Sequence, residues 1–217
     1  MAASFVRVGV EDWTVEISDA MSAKMSVNGP LRRLRIREGT RFTPAALDRL
    51  LVHEVGGHVL RWAHSMRQLE PLAAVPVGRT VPAEEGLALW GELRHGLLDA
   101  ATLRVYAARV VAVDAARTAG IVEVARLVAA HVGVEAAAQI AMRVKRGLRD
   151  PNGPGGSTKD WSYLGGLRSC QRLALERPSE LGLLLGVKWG MEHLDTARAL
   201  AETGRLRSFE PVDLDRL

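Results

Sequence analysis

Apolar and polar side chains alternate over two short stretches near the start of the chain. These are residues 13–17, WTVEI, and residues 33–37, RLRIR, and the turn sequence NGP lies between them at residues 28–30. Such alternation is typical of a strand with one face on a core and the other in solvent. The pattern therefore predicts two short strands that pair as a small antiparallel sheet.

From about residue 43 onward, the hydrophobic spacing is that of helices. Thr43 and Pro44 have the chemistry of a helix start, with threonine as N-cap and proline at the first helical position. A single mainly helical domain over residues 1–217, with a small N-terminal sheet, is the simplest architecture for this pattern. Further helices are predicted at about residues 80–98, 99–118, 121–146 with a break near Gly133, 158–175 with Thr158 as N-cap, and 178–203.

The composition narrows the class of protein. Hydrophobic residues make up 47% and charged residues 25% of the chain, which is ordinary globular composition and excludes a disordered chain or a fibre. The net charge of +4 is a mild excess, without a lysine-rich tail or a basic stripe interleaved with aromatic residues. We therefore expect no nucleic-acid partner.

The cysteine content and the apolar runs bear on the compartment. Cys170 is alone in the sequence, so an internal disulfide is impossible, which fits a reducing environment. The first residues do not form a secretory signal, and the apolar run at residues 181–187 is far shorter than the roughly 20 residues that a membrane span needs. We expect a cytoplasmic protein without a membrane partner.

The segment HEVGGH at residues 53–58 carries the candidate chemistry. His53 and His58 are five positions apart, which on a regular α-helix leaves their side chains about 140° apart. A π-helical distortion would absorb the extra residue, and such distortions are frequent at functional sites. Gly56 and Gly57 tolerate unusual backbone angles and close packing. The spacing predicts a local π-bulge that brings both imidazoles to one metal ion.

A third metal ligand is expected from EEGLA at residues 84–88. Adjacent helical residues point about 100° apart, so only one of Glu84 and Glu85 can easily face the metal. Two histidines with one glutamate match a known class of zinc hydrolase site, with one open position for water. Glu54 directly follows the first histidine, where a carboxylate can take the proton of a zinc-activated water. The sequence thus predicts a Zn²⁺ cofactor and a general base.

Three ordered blocks of sequence resemble the microtubule-associated tyrosine carboxypeptidase family, a group of zinc peptidases. The resemblance covers roughly residues 12–205 and implies an α+β, mainly helical, zincin-like metallopeptidase domain. It implies zinc ligands at His53, His58 and Glu85, and the catalytic base at Glu54. The blocks are HEVGGHVLR at residues 53–61, EEGLALWGE at residues 84–92, and RVKRGLRDPNGPGGSTKDWSYLGG at residues 143–166.

The third block supplies candidates for the substrate end of the site. Tyr163 is a plausible donor to the oxyanion, because a phenol donates a hydrogen bond without carrying charge. Arg143, Arg146 and Lys159 are candidates for binding a terminal carboxylate, since arginine does so in bidentate geometry and lysine as a point charge. Lys159 and Tyr163 would share a helix face if Thr158 caps the helix. The expected substrate is a peptide or protein C-terminal tail that ends in Tyr or Phe.

Other functions compete with this hypothesis. A zinc aminopeptidase or endopeptidase would need an acidic group for the substrate amine, and Glu84 or Glu92 could supply it. A non-catalytic, metal-containing binding protein would have no need of a base at Glu54. A helical nucleic-acid binder without metal is a third class, which a measurement of zinc content would exclude.

Overall fold

The computed structural model describes residues 1–21 and 23–217, and it divides into two compact units. Unit 1 comprises Met1–Leu97 and Gly166–Leu217, and unit 2 comprises Leu98–Gly165. Each unit has buried apolar clusters of its own. The description below takes each unit by itself, and a single metallopeptidase domain over residues 1–217 stays a prediction.

The sheet of unit 1 has three strands in the order β1-β3-β2, and it is mixed. The strands are β1 (Thr14–Ser18), β2 (Met25–Asn28) and β3 (Arg33–Arg37). A mainly helical α+β fold with a small N-terminal sheet is thus confirmed.

The predicted antiparallel pairing of the two strands is wrong. Strand β1 pairs with β3 in parallel, and β2 pairs with β3 antiparallel. The reason is the third strand: β2 runs back along β3 as a hairpin, and two chain reversals leave β1 and β3 parallel. Strand β2 has only four residues, too few for an alternating pattern to stand out from a loop.

The helices of unit 1 include the one that the Thr43–Pro44 pair predicts. The Thr43 side chain accepts a hydrogen bond from the Ala46 amide at 3.2 Å, as an N-cap should. The α-helices are α1 (Ala2–Arg7), α2 (Pro44–Leu50), α3 (Leu60–Met66), α4 (Thr80–Arg94), α8 (Trp161–Glu176, whose first residues belong to unit 2), α9 (Pro178–Leu184) and α10 (Leu194–Glu202). Short 3-10 helices cover Pro71–Ala74, Met191–His193 and Leu214–Arg216.

One apolar cluster of unit 1 lies between the sheet and the segment that carries the histidines. Leu34 of the sheet is completely buried, and so are Val55, within the histidine motif, and Val59, directly after it. Burying apolar side chains of this size stabilises the fold by roughly 1.5–3 kcal/mol each. The histidine segment therefore packs on an apolar cluster that it shares with the sheet.

Unit 2 is built on three helices around a core of small side chains. The helices are α5 (Ala100–Ala115), α6 (Ile121–Val132) and α7 (Val134–Lys145). The predicted break at Gly133 is confirmed, because this residue joins α6 to α7 with a φ of +81°, a value that favours glycine. Alanine and valine dominate the core, so the helices approach closely.

The glycine-rich loop of unit 2, residues 153–156, is hydrogen-bonded to the helices around it. The buried Lys145 ammonium donates to the carbonyl oxygens of Ala119 at 2.6 Å and of Gly153 and Gly155 at 2.8 Å. The Gly155 amide donates to the Ala116 carbonyl at 2.6 Å. These acceptors compensate the buried charge of Lys145, and the same hydrogen bonds fix the position of the loop.

The expected helix start at Thr158 is wrong. Helix α8 begins at Trp161, and residues 159–160 form a turn. The Trp161 amide donates to the Thr158 carbonyl and the Ser162 amide to the Lys159 carbonyl, both in the 3-10 pattern. Lys159 therefore precedes the helix and does not share a helix face with Tyr163. Among residues 1–21 and 23–217, every helix is too short or too polar to span a lipid bilayer.

His64 lies on α3 and stacks on Phe209, with ring centroids 3.9 Å apart. Burial lowers the pKa of His64 to about 4; a backbone hydrogen bond to Leu185 opposes the shift, and the charges of Arg67 and Arg207 add to it. The imidazole is therefore neutral in the folded protein at neutral pH.

We expect this histidine to make folding stability depend on pH. Between pH 6.5 and about 4, the unfolded chain binds a proton at His64 that the folded chain does not, so stability falls as pH falls through this window. The pKa shift of His64 corresponds to a total loss of about 3 kcal/mol in the free energy of unfolding across this pH window. The free energy of unfolding, measured in urea, should differ less between pH 7 and pH 4.5 in His64→Phe than in the wild type. Equal differences in the two proteins would contradict the assignment.

Candidate metal centre

The histidine motif lies in a π-helical segment. Residues Leu51–Val59 form nine residues of π-helix between α2 and α3. In a π-helix the hydrogen bonds run between residues five apart, so His53 and His58 come to lie one turn apart on the same side. Their ring centroids are 5.0 Å apart and the planes are inclined by 73°. The π-helical distortion predicted from the spacing is confirmed.

Glycines let helix α4 approach this segment closely. A Cβ atom added at Gly57 would lie 2.8 Å from the Ala88 Cβ and 3.0 Å from its Cα. On the other side of α4, a Cβ atom added at Gly86 would lie 2.5 Å from the Gly166 carbonyl oxygen of α8. Side chains at these positions would push the helices apart, so the glycines allow the approach that brings Glu85 to the histidines.

Three potential ligand atoms converge between the π-helical segment and α4. His53, His58 and Glu85 each offer one such atom, and these atoms lie within 4.8 Å of one another. The Glu85 Oε2 atom is 3.7 Å from His53 Nε2 and 3.9 Å from His58 Nε2. Such separations allow one ion to sit about 2.0–2.2 Å from each atom. The donor set and its geometry therefore fit zinc.

The far side of the His53 ring contacts a second carboxylate of α4. His53 Nδ1 lies 2.6 Å from Glu92 Oε1, and the Glu92 side chain is completely buried. Arg49 lies 3.3 Å from the other Glu92 oxygen and compensates its charge. Glu92 belongs to the family-like block EEGLALWGE, but the sequence alone gave no role in the metal centre to it or to Arg49.

The far side of the His58 ring contacts Glu84, at 3.1 Å between Nδ1 and Oε1. Glu84 also forms ion pairs with Lys188 and, at 3.4 Å, with Arg61. Burial alone would raise the pKa of Glu84, but the hydrogen bond to His58 and the charges of Arg61 and Lys188 outweigh it and hold this pKa well below its usual range. Glu84 is thus ionised at neutral pH.

Arg61 anchors this network from within the core. Its side chain has no exposed surface, and it donates to the carbonyl oxygens of Leu184 at 3.2 Å and Trp189 at 2.7 Å. Burial lowers the pKa of Arg61, and the Glu84 charge opposes that shift. A buried guanidinium is tolerated here because its donors have acceptors and its charge has a partner.

Glu54 follows His53 on the π-helical segment and is buried, with 8% of its surface exposed. Among residues 1–21 and 23–217, the Glu54 carboxylate makes no hydrogen bond or ion pair, and its oxygens are not among the fully buried polar atoms that lack a partner. The oxygen atoms of this largely buried side chain therefore remain accessible to water.

The other predicted site residues lie in unit 2. The buried Asp160 carboxylate accepts from Arg143 Nε at 2.8 and 2.6 Å, and Arg143 Nη2 donates to the Tyr163 hydroxyl at 3.3 Å. Arg146 and Lys159 are exposed. Arg143, Asp160 and Tyr163 thus form one group within unit 2. Their roles in substrate binding stay predictions.

Two further residues of unit 2, Tyr106 and Arg109, lie against the Tyr163 ring. Tyr106 stacks on Tyr163 with ring centroids 5.1 Å apart. The Arg109 guanidinium lies 5.1 Å from the Tyr106 ring and 5.7 Å from the Tyr163 ring. The only sequence signal for this cluster is that Tyr106 and Arg109 are three positions apart on α5, which places them on one helix face. These contacts restrict the orientation of the Tyr163 ring.

A mainly helical protein in which two histidines and a glutamate converge, with a further glutamate directly after the first histidine, has the features of a candidate metallohydrolase. The family model for microtubule-associated tyrosine carboxypeptidase matches residues 2–212. The chain therefore belongs to this family, which confirms the resemblance seen in the sequence, and its class is that of the carboxypeptidases, which are hydrolases. A search of curated proteins found no match to the chain.

Proposed function

We propose that this protein is a zinc-dependent carboxypeptidase that removes a C-terminal Tyr or Phe from peptides or protein tails. The observation that carries the proposal is the convergence of His53, His58 and Glu85, with both Nε2 atoms within 4 Å of one Glu85 oxygen. Family membership supplies the carboxypeptidase class. The aromatic preference follows from the tyrosine in the family's description.

In this proposal His53, His58 and Glu85 hold the zinc ion. When bound, zinc would act as a Lewis acid that polarises the scissile carbonyl and activates a water molecule. Glu54 takes a proton from the attacking water and later delivers it to the leaving amine. The lack of a partner for Glu54 among the described residues supports this role, because a carboxylate in an ion pair is a poorer base.

Tyr163 is proposed to donate to the oxyanion. Arg143 has only donors, so the Tyr163 oxygen accepts this hydrogen bond, and the phenol keeps its own hydrogen as a donor. Because Asp160 offsets the charge of Arg143, we assign Arg143 the task of orienting Tyr163. Arg146 and Lys159, both exposed, stay candidates for the substrate's terminal carboxylate.

The competing enzyme hypotheses are less well supported. The two acidic residues considered for an aminopeptidase, Glu84 and Glu92, both contact histidine Nδ1 atoms and further cations. Neither carboxylate is therefore free to bind a substrate amine. A non-catalytic binding protein would not need a water-accessible carboxylate directly after the first histidine, at Glu54.

The family's name points to microtubule-associated substrates. For this chain we propose only the chemical class, a flexible tail with a free carboxylate and a terminal aromatic residue. The natural substrate would be a protein whose C-terminal tail meets that description.

The proposal predicts a strict need for a free carboxylate. A peptide ending in tyrosine should release that tyrosine, whereas the same peptide with a C-terminal amide should react at least 100-fold more slowly, because a missing charged partner costs several kcal/mol. Mass spectrometry of the products measures both rates. Release of the first residue, or cleavage inside the peptide, would instead favour the aminopeptidase or endopeptidase hypothesis.

A further inference from the structure

Helix α4 contacts the metal centre with three carboxylates. Glu85 and Glu92 are seven positions apart, nearly two full helical turns, so both face the π-helical segment. Glu84, beside Glu85, reaches the second histidine from a different angle. One helix therefore presents a ligand carboxylate and two carboxylates that touch only the far sides of the histidine rings.

These contacts determine which ring nitrogen is available to a metal. A neutral imidazole has one N–H group, and a carboxylate within hydrogen-bond distance of Nδ1 accepts that proton's bond. The proton is thus kept on Nδ1, and the Nε2 lone pair points towards Glu85 in both His53 and His58. Without these acceptors the rings could rotate or adopt the other tautomer.

The two contacts differ in strength. Glu92 lies 2.6 Å from His53 Nδ1 and is completely buried, whereas Glu84 lies 3.1 Å from His58 Nδ1 and keeps 18% of its side chain exposed. Short hydrogen bonds to a charged acceptor are stronger, and more so away from water. His53 is therefore the more tightly held of the two histidines.

We propose that Glu92 and Glu84 are positioning residues that set the metal affinity of this centre, with Glu92 dominant. The inference rests on the proposed function, because it assumes that His53, His58 and Glu85 bind zinc. Partners of this kind are typically worth 10- to 100-fold in metal affinity. Neither carboxylate touches the metal or the substrate in this proposal.

The test is the zinc dissociation constant of the full-length protein, measured by competition with a chromophoric chelator. Glu92→Gln should weaken zinc binding by 10- to 100-fold, and Glu84→Gln by less. Glu70→Gln is the matched control, because Glu70 is also buried and pairs with an arginine, Arg205, at 2.8 Å. Glu70→Gln should bind zinc like the wild type.

A second variant and a spectroscopic measurement separate positioning from general destabilisation. Arg49→Gln leaves Glu92 in place but removes its 3.3 Å charge partner, and should weaken zinc binding in the same direction by a smaller factor. Cobalt substitution should give a shifted d–d absorption spectrum in Glu92→Gln and an unchanged spectrum in Glu70→Gln. A general loss of stability would not alter the spectrum of the bound ion.

Wild-type zinc affinity and an unchanged cobalt spectrum in both Glu92→Gln and Glu84→Gln would overturn the inference while leaving the proposed function intact. Equal weakening in Glu70→Gln would also overturn it, because the effect would then not depend on contact with a histidine. No zinc binding by the wild-type protein would overturn the proposed zinc site and this inference together.

Discussion

Glu54→Gln should lower kcat/KM for release of a C-terminal tyrosine by about 100- to 10,000-fold, the usual contribution of a general base. The amide has nearly the shape of the carboxylate but cannot take a proton from water. Because Glu54 is not among the three residues whose ligand atoms converge, the variant should keep its zinc. Steady-state kinetics and metal analysis on the same preparation measure both quantities.

The matched control for this prediction is Glu70→Gln, another buried glutamate of unit 1, which should keep nearly full activity. Loss of zinc in Glu54→Gln would show that Glu54 has a structural or ligand role. Retained activity in Glu54→Gln would exclude Glu54 as the general base and show that another group takes the proton.

Gly86→Ala should destabilise the protein by about 1–3 kcal/mol, the usual range for overpacking a tight core. The added Cβ atom would lie 2.5 Å from the Gly166 carbonyl oxygen, and backbone cannot move aside as a side chain can. Alanine is the better helix former by up to about 1 kcal/mol, so the clash must outweigh that gain. Urea unfolding of the metal-free protein measures the change.

Gly78→Ala is the control, since a Cβ atom there would meet no atom within 4 Å and its φ is ordinary. This substitution should change the free energy of unfolding by no more than about 0.5 kcal/mol. If Gly86→Ala were as stable as the wild type, helices α4 and α8 could not be as close as described. The approach of Glu85 to the two histidines would then have to be explained in another way.

The metal centre was the part of the molecule most accessible from sequence. Five-residue spacing of His53 and His58 is impossible for one ion on a regular helix, and the double glycine indicates where the helix can deform. Both features are local, so a short stretch of sequence carries the whole signal. The N-cap at Thr43 and the break at Gly133 were predictable for the same reason.

The charges behind the histidines could not be found in this way. Lys188 and Glu84 are 104 positions apart, and Arg49 and Glu92 are 43 apart, so only the fold brings each pair together. The sheet was mispredicted because strand β2, which reverses the chain between β1 and β3, is too short to recognise from the sequence. The start of α8 was misplaced because Thr158 has the chemistry of an N-cap, although a turn intervenes before Trp161.

The most direct test of the central claim is the zinc content of freshly purified protein, measured by mass spectrometry for the wild type, Glu85→Ala and Glu70→Gln. We predict one zinc per chain in the wild type and in Glu70→Gln, and loss of most of it in Glu85→Ala. A wild-type protein without zinc, or a Glu85→Ala protein with full zinc, would contradict the proposed metal centre.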